Sequence, residues 1–393
     1  MRAVQGEAVA MASSVTIVTH EFFPKRGGIA VYVEETARAA VKVGYGVEAW
    51  APQTDGLSER GFPFPVHALG NKGSLGAGCR RTTRRKLLAR RSDFLDTLLW
   101  LPEPGPIMAL AEQAAWKSFS DIPIVLTLHG SEILRLHRWP HWRGRFARLL
   151  ERADRIGVVS EPIEALLLER FGKSLVGKTM RVPGALRHDF ESPVETFVPP
   201  PEPTGERIVF LTVARVHPRK GQLAMLEGLG ALPEPLKKRV LYRIAGPSTD
   251  EKYLRVLERE ATLLGVAFEY AGAVADTDLP KIYAQARVFA MTSQRLRQSI
   301  EGFGLVYLEA AARGLPVLAH RTGGVTEAVA DGVSGLLVEP GDRAALTQAC
   351  RRLIEDAELR ARLSAGGRQH LERFSWSTNV ERLFATCLAK SGD

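Results

Sequence analysis

The chain is poor in cysteine. It has three in 393 residues, at 79, 350 and 387, with no CxxC spacing. That argues against a disulfide framework or a zinc site and fits a reducing compartment. No apolar run approaches the roughly eighteen residues a membrane-spanning helix needs. The first residues, "MRAVQGEAVAMASS", contain Glu7 and lack a long apolar core, so they do not read as a secretory signal. We expect a loose extension there, with Met11 as a second candidate start, and a cytoplasmic protein. Acids are in short supply: 44 Asp and Glu face 53 Lys and Arg, a net charge of +9. Such a balance suggests polyanionic partners without choosing among nucleic acid, membrane surface and phosphorylated substrate. Short-period repeats and low-complexity tracts are also missing.

What is present is the composition of a soluble globular protein, 45% apolar and 25% charged. The length suits two domains of similar size. "SVTIVTH" (14–20) reads as a buried strand, and "PKRGGIAVYVEETARAAVKVGY" as a glycine loop followed by a helix. Further strands are expected at 46–52, within "DTLLWLP", at 123–130 and at 155–161, with "GPIMALAEQAAWKSF" as one helix. "SPVETFVPPPEPTG" holds five prolines and marks a linker. The strand–helix alternation restarts after it, with strands at 207–215 and 239–246 and within "AFEYAG", "RVFAMTS" and "LPVLAH". Short apolar strands alternating with helices imply parallel sheets covered on both faces. The expected division is an extension 1–13, a domain 14–191, a linker 192–205, a second domain 206–375 and a last helix 376–393. The fold class is α/β, two Rossmann-like domains facing a cleft, with the last helix crossing back to the first.

Chemistry concentrates in "SIEGFGLVYLEAAARGLPVLAHRTGGVTEAV" (299–329). Gly302, Phe303 and Gly304 sit where a loop becomes a helix. Glycines allow close backbone approach, and helix N-terminal N–H groups attract phosphate. Glu309 lies within the helix, where a carboxylate can accept both hydroxyls of a ribose. Two acids on a solvated helix would be the plainer reading of that spacing alone. Arg215 ends an apolar strand and Lys220 follows across a turn containing Pro218, so both can stabilise charge on a departing phosphate. His129 ends another strand and could contact a sugar hydroxyl or simply bond the backbone. Glu132 could cap the helix that follows. Gly27 and Gly28 lie in the first strand–helix loop, which is not G-x-G-x-x-G, so a nicotinamide fingerprint is absent there. Asp276 and Asp278 form a DxD that reads as a helix N-cap rather than a metal clamp.

"EGFGLVYLEAAARGLPVLAHRTGGVTEAVADGVSGLLVEPGD" resembles the E-x7-E region of retaining glycosyltransferases of family 4, which have the GT-B fold. "VARVHPRKG", "LTLHGSE" and "FFPKRGGIAVYVEE" resemble that family's diphosphate segment, its His-Gly pair and its first glycine loop. The resemblance covers about residues 20 to 340. It implies transfer of a hexosyl group from a nucleotide-sugar of GDP-mannose or UDP-glucose type to an acceptor hydroxyl, without metal or other cofactor. The implied catalytic residues are Arg215, Lys220, Glu301 and His129. The implied donor-binding residues are Gly27, Gly28, Val274, Gly302, Phe303, Gly304, Leu305 and Glu309. The acceptor is unidentified, with a lipid-linked or cell-envelope glycan as one class. A nucleotide-sugar epimerase and a non-catalytic nucleotide-sugar-binding relative are the alternatives. Family members approach the first Glu by a shorter, Ser-rich segment than "TSQRLRQSIEG".

The basic excess is local. "RRTTRRKLLARR" (80–91) has seven Lys and Arg and no acid, and 135–155 mixes seven arginines with Trp139, Trp142 and Phe146. Basic and aromatic residues together suit an anionic membrane surface, through 80–91 and 135–148. A solvated helix face is the plainer reading. Charge alone motivates nucleic acid, which we do not expect as a partner.

Overall fold

A computed structural model describes residues 14–24, 27–52, 61–190 and 207–384. The expected extension 1–13, the Pro-rich linker 192–205 and Cys387 lie outside the described residues.

The chain forms two compact units. The first carries a seven-stranded sheet: β1 (Ser14–Val18), β2 (Gly46–Ala51), β3 (Val66–Ala68), β4 (Leu98–Leu101), β5 (Ile124–Leu128), β6 (Arg155–Val158) and β7 (Thr179–Arg181). Their spatial order is β3-β2-β1-β4-β5-β6-β7, and every pair is parallel. The second carries six: β8 (Ile208–Val213), β9 (Val240–Ala245), β10 (Ala267–Gly272), β11 (Val288–Met291), β12 (Val317–His320) and β13 (Gly335–Val338). Their order is β10-β9-β8-β11-β12-β13, again all parallel. Both are doubly wound sheets whose order reverses once, beside β1 and β4 in one unit and beside β8 and β11 in the other. Ligands of such sheets bind at the carboxyl ends of strands flanking that reversal.

The central strands are short and apolar because helices cover both faces. All four residues of β4 and of β11 are buried. In the second unit Phe210, Tyr242, Ile244 and Val288 pack with Met225 and Leu257 from the helices Gln222–Gly230 and Glu251–Leu264. The last helix, Trp376–Phe384, belongs to the first unit, as expected. Its Trp376 meets Tyr32 edge-on at 5.2 Å, and Phe384 packs on Trp100 at 5.5 Å.

Three expectations change. Residues 184–190, placed in the first domain by sequence, pack with the second unit. Phe190 lies edge-on to Tyr283 at 5.9 Å, between the guanidiniums of Arg187 and Arg313 at 5.3 and 5.0 Å from its ring. The helix expected over 105–119 stops early. A helix spans Pro104–Ala111, and a 3-10 segment follows with Gln113 and Ala114 at φ 54° and 51°. Asp278 stands at the cap position of the helix Leu279–Ala284, but its side chain caps nothing and pairs with Lys281 at 3.1 Å, while Asp276 faces Arg187 at 3.7 Å.

Candidate active site

In the second unit the loops after β8 and β11 meet at the sheet's reversal. After β8 the chain runs through an exposed Arg215 to a single 3-10 turn, Pro218–Lys220. His217 caps that turn: its Nδ1 accepts from the Arg219 N–H at 3.1 Å. Burial, then the cations Arg215, Arg219 and Lys220, hold His217 below its ordinary value, which keeps Nδ1 free to accept. Gly221 follows at φ 74°, and a Cβ there would sit 1.7 Å from the Thr292 carbonyl oxygen. The two loops therefore touch backbone to backbone, a contact only glycine permits. Thr292 Oγ1 also donates to the Gly221 carbonyl at 2.7 Å.

That contact delivers two cations to one acid. Arg219 Nη1 and Lys220 Nζ donate to Glu301 Oε2 at 2.6 and 2.8 Å, and Ser293 Oγ donates to the same oxygen at 3.0 Å. All three side chains of the ion cluster are at least 87% buried, with 12%, 13% and 10% exposed for Arg219, Lys220 and Glu301. Burial opposes ionisation of Glu301, but the Lys220 and Arg219 charges outweigh it and lower the carboxyl to about 2. Glu301 is an anion at any physiological pH. Its Oε1 accepts no hydrogen bond among the described residues. The backbone of Glu301 is fixed from behind, where Gly324 N–H donates to its carbonyl at 3.0 Å. A Cβ on Gly323 would lie 2.2 Å from that same oxygen.

Glu309 sits in the helix Leu305–Ala312, which begins after Gly304 at φ 94°. Tyr283 Oη donates to Glu309 Oε2 at 2.9 Å, and Arg187 stands 3.8 Å from Oε1. Burial raises this carboxyl, against the pull of Arg187 and Tyr283. Arg187 is itself held by Asp189 at 2.9 and 2.6 Å. The two acids thus share a design: one oxygen is anchored to protein, and the other takes no protein hydrogen bond among the described residues.

The other expected residues divide. Gly302 and Gly304 shape the loop, and Leu305 opens the helix, its side chain against Gly184. Phe303 is core, buried and edge-on to Phe374 at 5.3 Å. Val274 is half-buried in the loop after β10. In the first unit, Gly27 and Gly28 are exposed at the start of the helix Gly28–Lys42, and an added Cβ on Gly28 would meet nothing within 4 Å. His129 Nε2 lies 2.9 Å from the Pro102 carbonyl oxygen. A carbonyl only accepts, so Nε2 carries the proton and Nδ1 offers a lone pair. Glu132 accepts from the N–H groups of His129 and Gly130, capping the helix Ser131–Arg138. Sequence reasoning missed Arg219, Ser293, Tyr283 and Arg187. The signal for Arg219 was there: Pro-Arg-Lys directly after the strand-end "VARVH".

Two doubly wound units with a cationic clamp and two half-anchored acids at one sheet reversal define a GT-B glycosyltransferase. The model described as Glycosyltransferase Family 4 matches residues 26–182, and that described as Glycosyl transferases group 1 matches 195–370. The GDP-mannose-dependent alpha-(1-6)-phosphatidylinositol monomannoside mannosyltransferase of Mycolicibacterium smegmatis is 30% identical, over 93% of this chain and 96% of its own. The D-inositol 3-phosphate glycosyltransferase of Geodermatophilus obscurus is 38% identical over 47% of this chain and 41% of its own. Among solved structures, Anabaena HepE in complex with UDP and glucose superposes with a TM-score of 0.75 at 21% identity, covering 95% of this chain and 99% of its own. The lipopolysaccharide glycosyltransferase WaaG gives 0.69 at 17%, over 96% and 100%. The chain belongs to glycosyltransferase family 4. No helix among the described residues is long and apolar enough to cross a membrane.

Proposed function

We propose that this enzyme transfers a hexosyl group, with mannose from GDP-mannose as the first choice, to a hydroxyl of a lipid-linked acceptor, with retention and without metal. One observation carries the reading: Arg219 and Lys220 converge on Glu301 Oε2 while Glu301 Oε1 and Glu309 Oε1 accept no hydrogen bond among the described residues. In this reading Glu309 takes the ribose hydroxyls and Val274 offers its backbone to the base. Arg215, Arg219 and Lys220 hold the diphosphate, and Glu301 reaches the sugar. Buried cations already oriented toward developing charge cost no reorganisation when the sugar–phosphate bond breaks. The bond from the anomeric carbon to the diphosphate oxygen breaks and one to the acceptor oxygen forms. The departing phosphate oxygen takes the acceptor's proton, and no protein base is needed. We also assign His129 and the Gly27–Gly28 loop to substrate binding.

The mannosyltransferase relative supports the donor and the lipid-linked acceptor. The basic segments support a membrane surface: Arg81, Arg85, Arg138, Arg143 and Arg148 are exposed, and Trp139 is 54% exposed. Turnover with GDP-mannose, UDP-glucose and UDP-galactose, read by NMR for anomeric configuration and repeated with EDTA, tests the proposal. Full activity in both Lys220→Ala and Glu309→Ala overturns the site. An inverted product overturns retention, and loss with EDTA overturns metal independence. A donor sugar that changes configuration without transfer indicates an epimerase. Flotation with anionic liposomes that is unchanged on neutralising 80–91 removes the membrane contact.

A further inference from the structure

The first unit carries a second concentration of chemistry that donor binding does not use. A pocket of about 250 Å³, open to solvent on one side, is lined by Ala77, Arg81, Arg84, Glu112, Gln113 and Arg145. Three guanidiniums face one carboxylate there, so the pocket keeps two positive charges. Glu112 is already committed, to Arg80 at 2.7 Å and Arg84 at 2.5 Å. Arg81 is exposed on the helix Ala77–Ala89 and has no protein partner among the described residues. Arg145 is set from the side, its guanidinium 5.5 Å from the Trp142 ring, whose neighbour Arg80 lies 5.1 Å from the same ring. Guanidiniums ordered in this way lose little freedom when they bind an oxyanion.

The backbone points to the same place. Gln113, which lines the pocket, and the adjacent Ala114 are the non-glycine residues with positive φ among the described residues. Left-handed backbone is unfavourable for a non-glycine residue, because its Cβ crowds the following carbonyl oxygen. Such strain persists where neighbours over-determine it, and it gathers at ligand clamps. Here the Glu112 ion pairs hold the turn, and its result is to stop a helix and open the pocket beside Arg81. The volume is about eight times a water's ~30 Å³ share of the liquid, room for a phosphate and the start of its ester.

We propose that Arg81, Arg84 and Arg145 bind the phosphoryl group of a phosphate ester, at a site separate from the donor's. The claim goes beyond the assignment of donor and mechanism and stands whatever the sugar. Guanidinium forks match phosphate oxygens bidentately, and the open side lets the rest of the ester remain outside. A water-soluble phosphomonoester and a phospholipid head group offer the same chemistry.

The test is calorimetric titration of the full chain with inorganic phosphate and with glycerol 3-phosphate, in the presence of saturating GDP so that the donor site is filled. Co-sedimentation with vesicles, phosphatidylcholine alone or mixed equally with phosphatidylglycerol, gives the lipid arm. Arg81→Gln/Arg145→Gln should weaken phosphate binding about tenfold for each guanidinium removed. Arg84 is spared because it anchors Glu112. Arg255→Gln/Arg259→Gln, on an exposed helix of the second unit, removes equal charge and should change nothing. GDP affinity and the thermal unfolding transitions, measured separately, should be unchanged in both variants, and the latter report that the first unit's fold is intact. Saturable phosphate binding with no vesicle effect assigns the site to soluble esters. Loss of vesicle binding in the pocket variant alone assigns it to head groups. Absence of saturable phosphate binding, or equal weakening in the two double variants, overturns the proposal. Failure of GDP to bind the wild type would overturn the donor assignment instead and leave the phosphate titration readable.

Discussion

Glu301→Gln should destabilise the second unit strongly above pH 5 and much less in acid. The substitution keeps the shape and removes the one anion between Arg219 and Lys220, which are 12% and 13% exposed. The carboxyl falls from its ordinary 4.5 to about 2 in the folded protein. Two and a half units at 1.36 kcal/mol each give about 3.4 kcal/mol. That agrees with the 3–5 kcal/mol typical when one partner of a buried ion pair is removed. The sign follows from the direction of the shift. A depressed carboxyl contributes fully above its unfolded value and loses that contribution as pH falls through the folded value. The difference between wild type and variant should therefore be largest near neutrality and about 2 kcal/mol at pH 3.5. Calorimetry should show the second unit's transition lowered by roughly 7–14 °C at pH 7, given about 2–4 °C per kcal/mol for a unit of this size. Adding inorganic pyrophosphate should restore more stability to the variant than to wild type, because it supplies the missing negative charge. A lowering under 2 °C, or one that does not shrink in acid, would refute the claim that Glu301 serves as counter-ion in the free enzyme.

Tyr283→Phe removes the donor to Glu309 Oε2, so KM for the nucleotide-sugar should rise several-fold with kcat little changed, read by initial rates. A fall in kcat at constant KM would contradict a positioning role. Gly221→Ala places a Cβ 1.7 Å from the Thr292 carbonyl oxygen at φ 74° and should separate the two loops, abolishing nucleoside diphosphate binding in a thermal-shift assay. Gly28→Ala meets nothing within 4 Å and should fold as wild type. Arg187→Ala removes the cation that Asp189, Asp276 and Glu309 share, and urea unfolding should show a loss of about 3 kcal/mol or more.

Ten of the strands among the described residues were legible because most are short, largely apolar runs, the pattern that burial on two faces imposes; β3 (Val66–Ala68), β7 (Thr179–Arg181) and β13 (Gly335–Val338) were not expected. The β8 and β11 runs and the glycine-started helix Leu305–Ala312 sit where the pattern put them. Residues 105–119 were not legible. Their apolar spacing is helical, and no glycine announces the left-handed pair Gln113–Ala114. Tertiary ion pairs from Arg80 and Arg84 to Glu112 override local preference there, and sequence spacing of 28 to 32 residues gives no hint of them. Residues 184–190 were assigned to the first domain because the Pro-rich segment that marked the boundary begins at 192, whereas Phe190 and Arg187 follow their partners Tyr283 and Asp276 in the second.

The same contrast explains the candidate site. The sequence already put Glu301 before the helix and Glu309 inside it, but made Arg215 look like the natural partner of Lys220. Geometry regroups them. Pro218 and the His217 cap wind three residues into a 3-10 turn, which carries Arg219, not the exposed Arg215, to Lys220's side. Glu301 then belongs with two cations from another loop, and Glu309 with Tyr283 and Arg187. Two unaccompanied buried cations would each bear a desolvation cost of several kcal/mol. The acid removes that cost in the absence of ligand and keeps both cations in place. It does so through Oε2 alone. One carboxylate can therefore hold the phosphate clamp ready with one oxygen while the other remains available to a donor group beside it. That division of labour requires the first acid to lie in the loop, outside the helix that carries the second.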